Sequence, residues 1–165
     1  MTKTLDTKNV EHALWRFTHK LGVYGCFEVT LGLGMTRDHK EIVDYITYDK
    51  TGVVRCYEIK TSYADFKSSA RKSWWGNFNY LVVTPEVYSK IEANRDIIGG
   101  IGIYVVGENG LPESVRRGSR HQLTVGERVS IIESMVRSMD REEQKLYRIK
   151  PVSYTHLRAH ETLAN

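Results

Sequence analysis

The chain has 165 residues, 41% hydrophobic and 27% charged, which is enough for one domain with its own core and ordinary for a soluble globular protein. Its net charge of +4 is mildly basic and fits a polyanion partner without requiring one. No apolar run reaches the ~20 residues of a membrane span, and polar residues 1–9 lack the apolar core of a signal peptide, so neither a membrane partner nor export is expected.

Val10, Ala13, Leu14, Phe17 and Leu21 recur at helical spacing, with Gly22 as the C-cap, and predict a first helix. Phe27, Val29, Leu31 and Leu33 alternate with Cys26, Glu28 and Thr30 and predict a strand, followed by a polar loop over 34–40. Cys26 and Cys56 make no disulfide framework and no metal-ligand spacing, so both read as buried thiols in a reducing, cytoplasmic compartment.

Segments 42–49 and 53–62 are rich in β-branched and aromatic residues and predict two strands. Asp49-Lys50-Thr51-Gly52 separates them, and Gly52 suits the left-handed position of a three-residue hairpin loop with a G1 bulge. That loop pairs 49 with 53, then 48 with 54, 46 with 56, and 44 with 58. A loop one residue shorter or longer would turn Asp44 away from Glu58.

Ser62-Tyr63-Ala64-Asp65 reads as an N-cap with an acid at N3, opening a helix to about Trp75. Residues 78–84 predict a buried strand, and Pro85 opens the next helix at N1. Glycines over 99–102 end that helix, and 103–106 form another short strand. Thr124-x-x-Glu127 is a capping box that starts a long final helix, with Val125, Val129, Ile132, Met135, Val136 and Met139 inward. The order predicts an α/β (α+β) fold of one domain over 1–150, a mixed central sheet flanked by helices. Val152 to Thr162, reading VSYTHLRAHET, resembles a sequencing adapter translated in one frame. On that reading 151–165 is a non-native tail, and the i, i+4 pair His156 and His160 has no ligand role. The alternative is a natural tail.

Glu58-Ile59-Lys60 is the stretch with the most chemical content. Strand alternation puts Val54, Cys56, Glu58 and Lys60 on one face, and the hairpin register adds Asp44 across from Glu58. Two facing carboxylates repel unless a cation neutralises them, and Mg²⁺ or Mn²⁺ takes one or two carboxylates with water and phosphate oxygens. The Ile59 carbonyl offers a further ligand. Lys60 is placed to orient or deprotonate a water and to offset charge on a phosphoryl transition state. A solvated Glu-x-Lys face is the bland alternative.

Ile42-Val43-Asp44 followed by Tyr57-Glu58-Ile59-Lys60-Thr61-Ser62-Tyr63-Ala64-Asp65-Phe66 resembles the core of the PD-(D/E)xK nuclease superfamily, and within it the MmcB-like DNA repair proteins and their phage-encoded relatives. The likeness runs from about Glu11 to Arg141. It implies a restriction-endonuclease-like core and metal-dependent cleavage of DNA in repair or phage DNA processing. Asp44, Glu58 and the Ile59 carbonyl would be the metal ligands, and Lys60 the catalytic lysine. The superfamily's first motif is a helical Glu, for which Glu11 is the candidate and Glu28 the rival. Lys67, Arg71 and Lys72 beside Trp74 and Trp75, and the second basic cluster of Arg116, Arg117, Arg120 and His121, would contact the DNA backbone. Further partners implied are a second copy of the chain or a repair or phage protein. A DNA-binding or assembly protein that keeps the fold without cutting is the rival from another class; hydrolysis of RNA shares the chemistry.

Overall fold

The computed structural model describes residues 4–32, 40–68, 74–96 and 98–149. In chain order the elements are α1 (Leu5–Thr18), β1 (Val23–Leu31), β2 (Glu41–Asp49), β3 (Val54–Lys60), α2 (Tyr63–Ser68), β4 (Phe78–Val83), α3 (Pro85–Ala93), β5 (Gly102–Val106), β6 (Pro112–Arg116) and α4 (Val125–Ile149). The six strands form one open mixed sheet in chain order; β4 runs parallel to both β3 and β5, and the other neighbours are antiparallel. This is the expected mixed sheet flanked by helices. The suspected adapter segment lies outside the described residues. Among the described residues no helix is long and apolar enough to cross a membrane.

The helices cover opposite faces. Val10, Ala13 and Leu14 of α1 pack on Tyr45, Tyr57, Ile59 and Val82. On the other face Ile131 and Met135 of α4 cover Cys26, Val29, Ile46 and Cys56, while Val87 and Ile91 of α3 cover Leu81, Val83 and Ile103. Both cysteines are buried, as expected.

Several expectations need correction. α1 ends at Thr18, whose hydroxyl bonds the Leu14 carbonyl at 2.9 Å and the Tyr45 hydroxyl at 3.0 Å. Leu21 therefore sits beyond the helix, fully exposed at 103%, and Gly22 (φ 80°) turns the chain into β1. In β1 the alternation breaks at Glu28, which has φ 52°. Phe27 joins the α1 side, whereas Cys26, Val29 and Leu31 all join the α4 side. α2 stops short of Trp75: residues 69–73 are outside the description, and Trp74 and Trp75 are non-helical. β6 was unexpected, because only Pro112 of its five residues is buried and it carries no alternating apolar signal. In α4 the inward residues are Ile131, Ser134, Met135 and Ser138; Val125 (81%), Val129 (48%), Val136 (59%) and Met139 (40%) face outward. The helix has two adjacent apolar stripes, and the sheet takes the one with fewer large residues.

The β2–β3 hairpin forms with the expected loop. The Gly52 amide donates to the Asp49 carbonyl at 2.8 Å, the Asp49 amide donates to the Val53 carbonyl at 3.1 Å, and Gly52 has φ 82°. Tyr48 pairs with Val54 and Ile46 with Cys56. Asp49 locks this turn. Burial alone would raise its pKa, but hydrogen bonds from Arg55 and Thr51 and from the Val53 and Thr51 amides outweigh it and hold it at about 2. A lowered folded pKa gives stability that is present above the unfolded value of ~3.9 and is lost as pH falls toward 2. Asp49→Asn is therefore expected to lose at most about 1 kcal/mol at pH 7, because the pair with Arg55 is partly screened. Urea midpoints measured from pH 7 to pH 2 should show variant and parent converging below pH 4.

Candidate active site

β3 is buried along nearly its whole length, and Glu58 (4% exposed) and Lys60 (8%) are buried with it. They lie on the same face as Val54 and Cys56, as strand alternation requires. Glu58 lines a narrow cleft of about 10 Å³, room for about one water, together with Glu41, Val43, Cys56, Tyr57, Trp74 and Trp75. Buried charges persist when paired and hydrogen-bonded. Lys60 Nζ lies 3.3 Å from Glu58 Oε1 and 3.3 Å from Asp65 Oδ2. Asp65 is placed by the start of α2, where its amide donates to Ser62 Oγ at 3.1 Å.

Asp44 joins the site by a different geometry from the one expected. The β2–β3 ladder ends at Tyr45–Tyr57, whose rings are 5.7 Å apart, so Asp44 and Glu58 are not a ladder pair. Instead the Asp44 carboxylate accepts the Ile59 amide at 2.8 Å, taking the place of a backbone partner. In an antiparallel strand the N–H and C=O of one residue share an edge. The Ile59 carbonyl therefore faces the β2 edge where Asp44 binds. Asp44 Oδ1 makes no hydrogen bond or ion pair among the described residues.

This donor set fits a hard divalent cation. Cys56, two residues before Glu58 on the same face, is not a competing soft ligand. Burial, and then the carboxylates of Glu41 and Glu58, push its thiol well above the ordinary range, so it stays protonated. Among the described residues no three His, Cys, Asp or Glu side chains converge as a complete ligand set. A cation here would draw on two carboxylates, a backbone carbonyl and water, which suits Mg²⁺ better than Zn²⁺.

The other expected residues are distributed as follows. Glu11 and Glu28 line one groove beside β1, together with Glu142 and Glu143 of α4, and neither lines the Glu58 cleft. The start of α1 does reach the end of β3, since Thr7 Oγ1 lies 3.1 Å from Thr61 Oγ1. Lys67 is turned to Asp96, 3.2 Å away, where it ties α2 to the end of α3. Arg71 and Lys72 lie outside the described residues. Arg116 belongs to β6 and donates to the Ile98 carbonyl at 3.0 Å. With three strand spacings between β3 and β6, its backbone lies roughly 14 Å from that of β3. Arg117 follows it, exposed, in the loop to α4. Glu41 was not anticipated. It accepts the Trp75 indole N–H at 3.2 Å, and no local pattern around residue 41 announces that contact.

No family model matches the chain, and no curated protein does. Among solved structures it is similar to a protein of unknown function from Silicibacter pomeroyi, with a TM-score of 0.68 and 17% identity over 94% of this chain and 99% of that one. At that identity the likeness shows a shared fold.

Proposed function

We propose that this protein is a divalent-metal-dependent nuclease of the PD-(D/E)xK type, with a restriction-endonuclease-like core, that hydrolyses DNA phosphodiester bonds in repair or phage DNA processing. The observation that carries the reading is the buried Glu58–Lys60 pair at 3.3 Å beside Asp44, whose carboxylate is bonded to the peptide between them. Asp44, Glu58 and the Ile59 carbonyl would hold Mg²⁺ or Mn²⁺. Such an ion, when bound, acidifies a water and polarises the phosphate.

The chain's own groups do the rest. Glu58 and Asp65 hold the Lys60 ammonium from two sides, so it is pre-positioned and costs little reorganisation as charge develops on the phosphate. Lys60 donates to the attacking water or to a phosphate oxygen. Burial of β3 excludes bulk water from the cleft and strengthens each of these interactions.

Purified protein with Mn²⁺ should nick or degrade at least one member of a panel of single-stranded, duplex, flapped and branched DNAs. It should do nothing in EDTA. Binding across the panel without any cutting would favour the non-catalytic DNA-binding alternative. An RNA arm separates the two nucleic acids.

A further inference from the structure

The Glu58 cleft and a second cavity share two side chains, Trp74 and Trp75, of which Trp75 is buried with its indole N–H on Glu41. Trp74 lines the cleft with Glu58. It also lines the second cavity, of about 330 Å³, with Gly99, Ile101, His121 and Gln122, a size at the lower end of small-molecule sites. Trp74 has φ 50°, a backbone region that bulky residues rarely occupy. A Cβ at Gly99 would meet no atom within 4 Å, so the cavity is open at Gly99. Glu127 borders the cavity, but its carboxylate caps α4 through Thr124 at 2.9 Å.

The loop from β6 to α4 lines this cavity through His121, Gln122 and Leu123 and is pinned in place. The Ser119 amide donates to the Gly100 carbonyl at 2.8 Å, the His121 amide to the Asn77 carbonyl at 2.7 Å, and Asn77 Nδ2 to the His121 carbonyl at 2.9 Å. Arg117 and Arg120 are exposed on it. Neither makes an ion pair among the described residues. An aromatic face flanked by cations is how proteins hold unpaired nucleic acid, with a base on the ring and phosphates on the arginines.

We infer that the Trp74 cavity takes one unpaired nucleobase of a strand whose phosphates run past Arg117 and Arg120, which makes single-stranded or frayed DNA the preferred substrate of the Glu58 cleft. This rests on the nuclease reading. The test is fluorescence anisotropy in EDTA with labelled 12-nucleotide oligo-dT and a blunt 12-base-pair duplex. The parent should bind oligo-dT more tightly than the duplex. Trp74→Ala should weaken oligo-dT binding about 5- to 100-fold, the worth of one stacked base, and Trp74→Phe should keep most of it. A single abasic site walked along the oligonucleotide should reproduce the loss at one position in the parent. That scan decides the matter even if Trp74→Ala fails to fold. Unchanged affinity in a folded Trp74→Ala, equal affinity for duplex, or no sensitive abasic position would overturn the inference. Failure of the nuclease reading looks different: oligo-dT binding behaves as expected, yet no DNA is cut with Mn²⁺.

Discussion

Glu58→Gln should lower Mn²⁺-dependent DNA cleavage by at least about 100-fold, the scale seen when one preorganised charge-stabilising group is removed. Gln keeps the size and an oxygen toward Lys60 Nζ, now 3.3 Å from Glu58 Oε1, so the lost feature is the charge. Asp44→Asn should act similarly, since Asn keeps an acceptor for the Ile59 amide, now bonded at 2.8 Å. Asp65→Asn should cost less, about 10-fold, because Asp65 reaches only Lys60 in this trio and its side chain is 55% exposed. The series is read from initial rates over a Mn²⁺ titration, with circular dichroism confirming the fold. On the proposed reading, in which Asp44 and Glu58 hold the metal, their loss should also move the Mn²⁺ midpoint upward, while Asp65→Asn should change the rate at saturating metal. A Glu58→Gln protein that cuts at the parental rate would assign the cleavage to a contaminant or to another centre.

How much of this was legible beforehand depended on the range of the interactions involved. The hairpin was readable because its turn is local: Gly52 can occupy the left-handed position, and that fixes which residues face each other down to Tyr45 and Tyr57. The grouping of Glu58 with Lys60 followed from strand alternation alone. The approach of Asp44 was right in direction and wrong in kind, because a carboxylate that captures the Ile59 amide ends the ladder that would have placed it opposite Glu58. Glu41 and Trp75 meet across 34 residues of sequence, and no spacing rule reaches that far. α4 misled for another reason. Val125, Val129, Ile132, Val136 and Met139 form the richer apolar stripe, but a sheet surface selects by shape, and Ile131 with Met135 flanked by two serines lies closer against it. Lys67 shows that a cation at helical spacing can be claimed by a distant acid, here Asp96, before any ligand is considered.

Lys60→Met should destabilise the fold by about 3 kcal/mol, the scale expected when one partner of a buried ion pair is removed and the other charge stays buried. Glu58 is only 4% exposed and would keep its carboxylate in the cleft without its nearest ammonium. Adding Glu58→Gln to Lys60→Met should recover part of the loss, with a coupling of about 1–3 kcal/mol in the double-mutant cycle. Urea unfolding at pH 7 in EDTA measures both quantities. Repeating it with Mn²⁺ separates the two roles of the pair. On the proposed reading a divalent cation and the Lys60 ammonium would neutralise the same carboxylate, so Mn²⁺ should stabilise Lys60→Met more than the parent and leave the double variant nearly unmoved. A purely structural salt bridge would give the same coupling in EDTA and no difference between the proteins when Mn²⁺ is added.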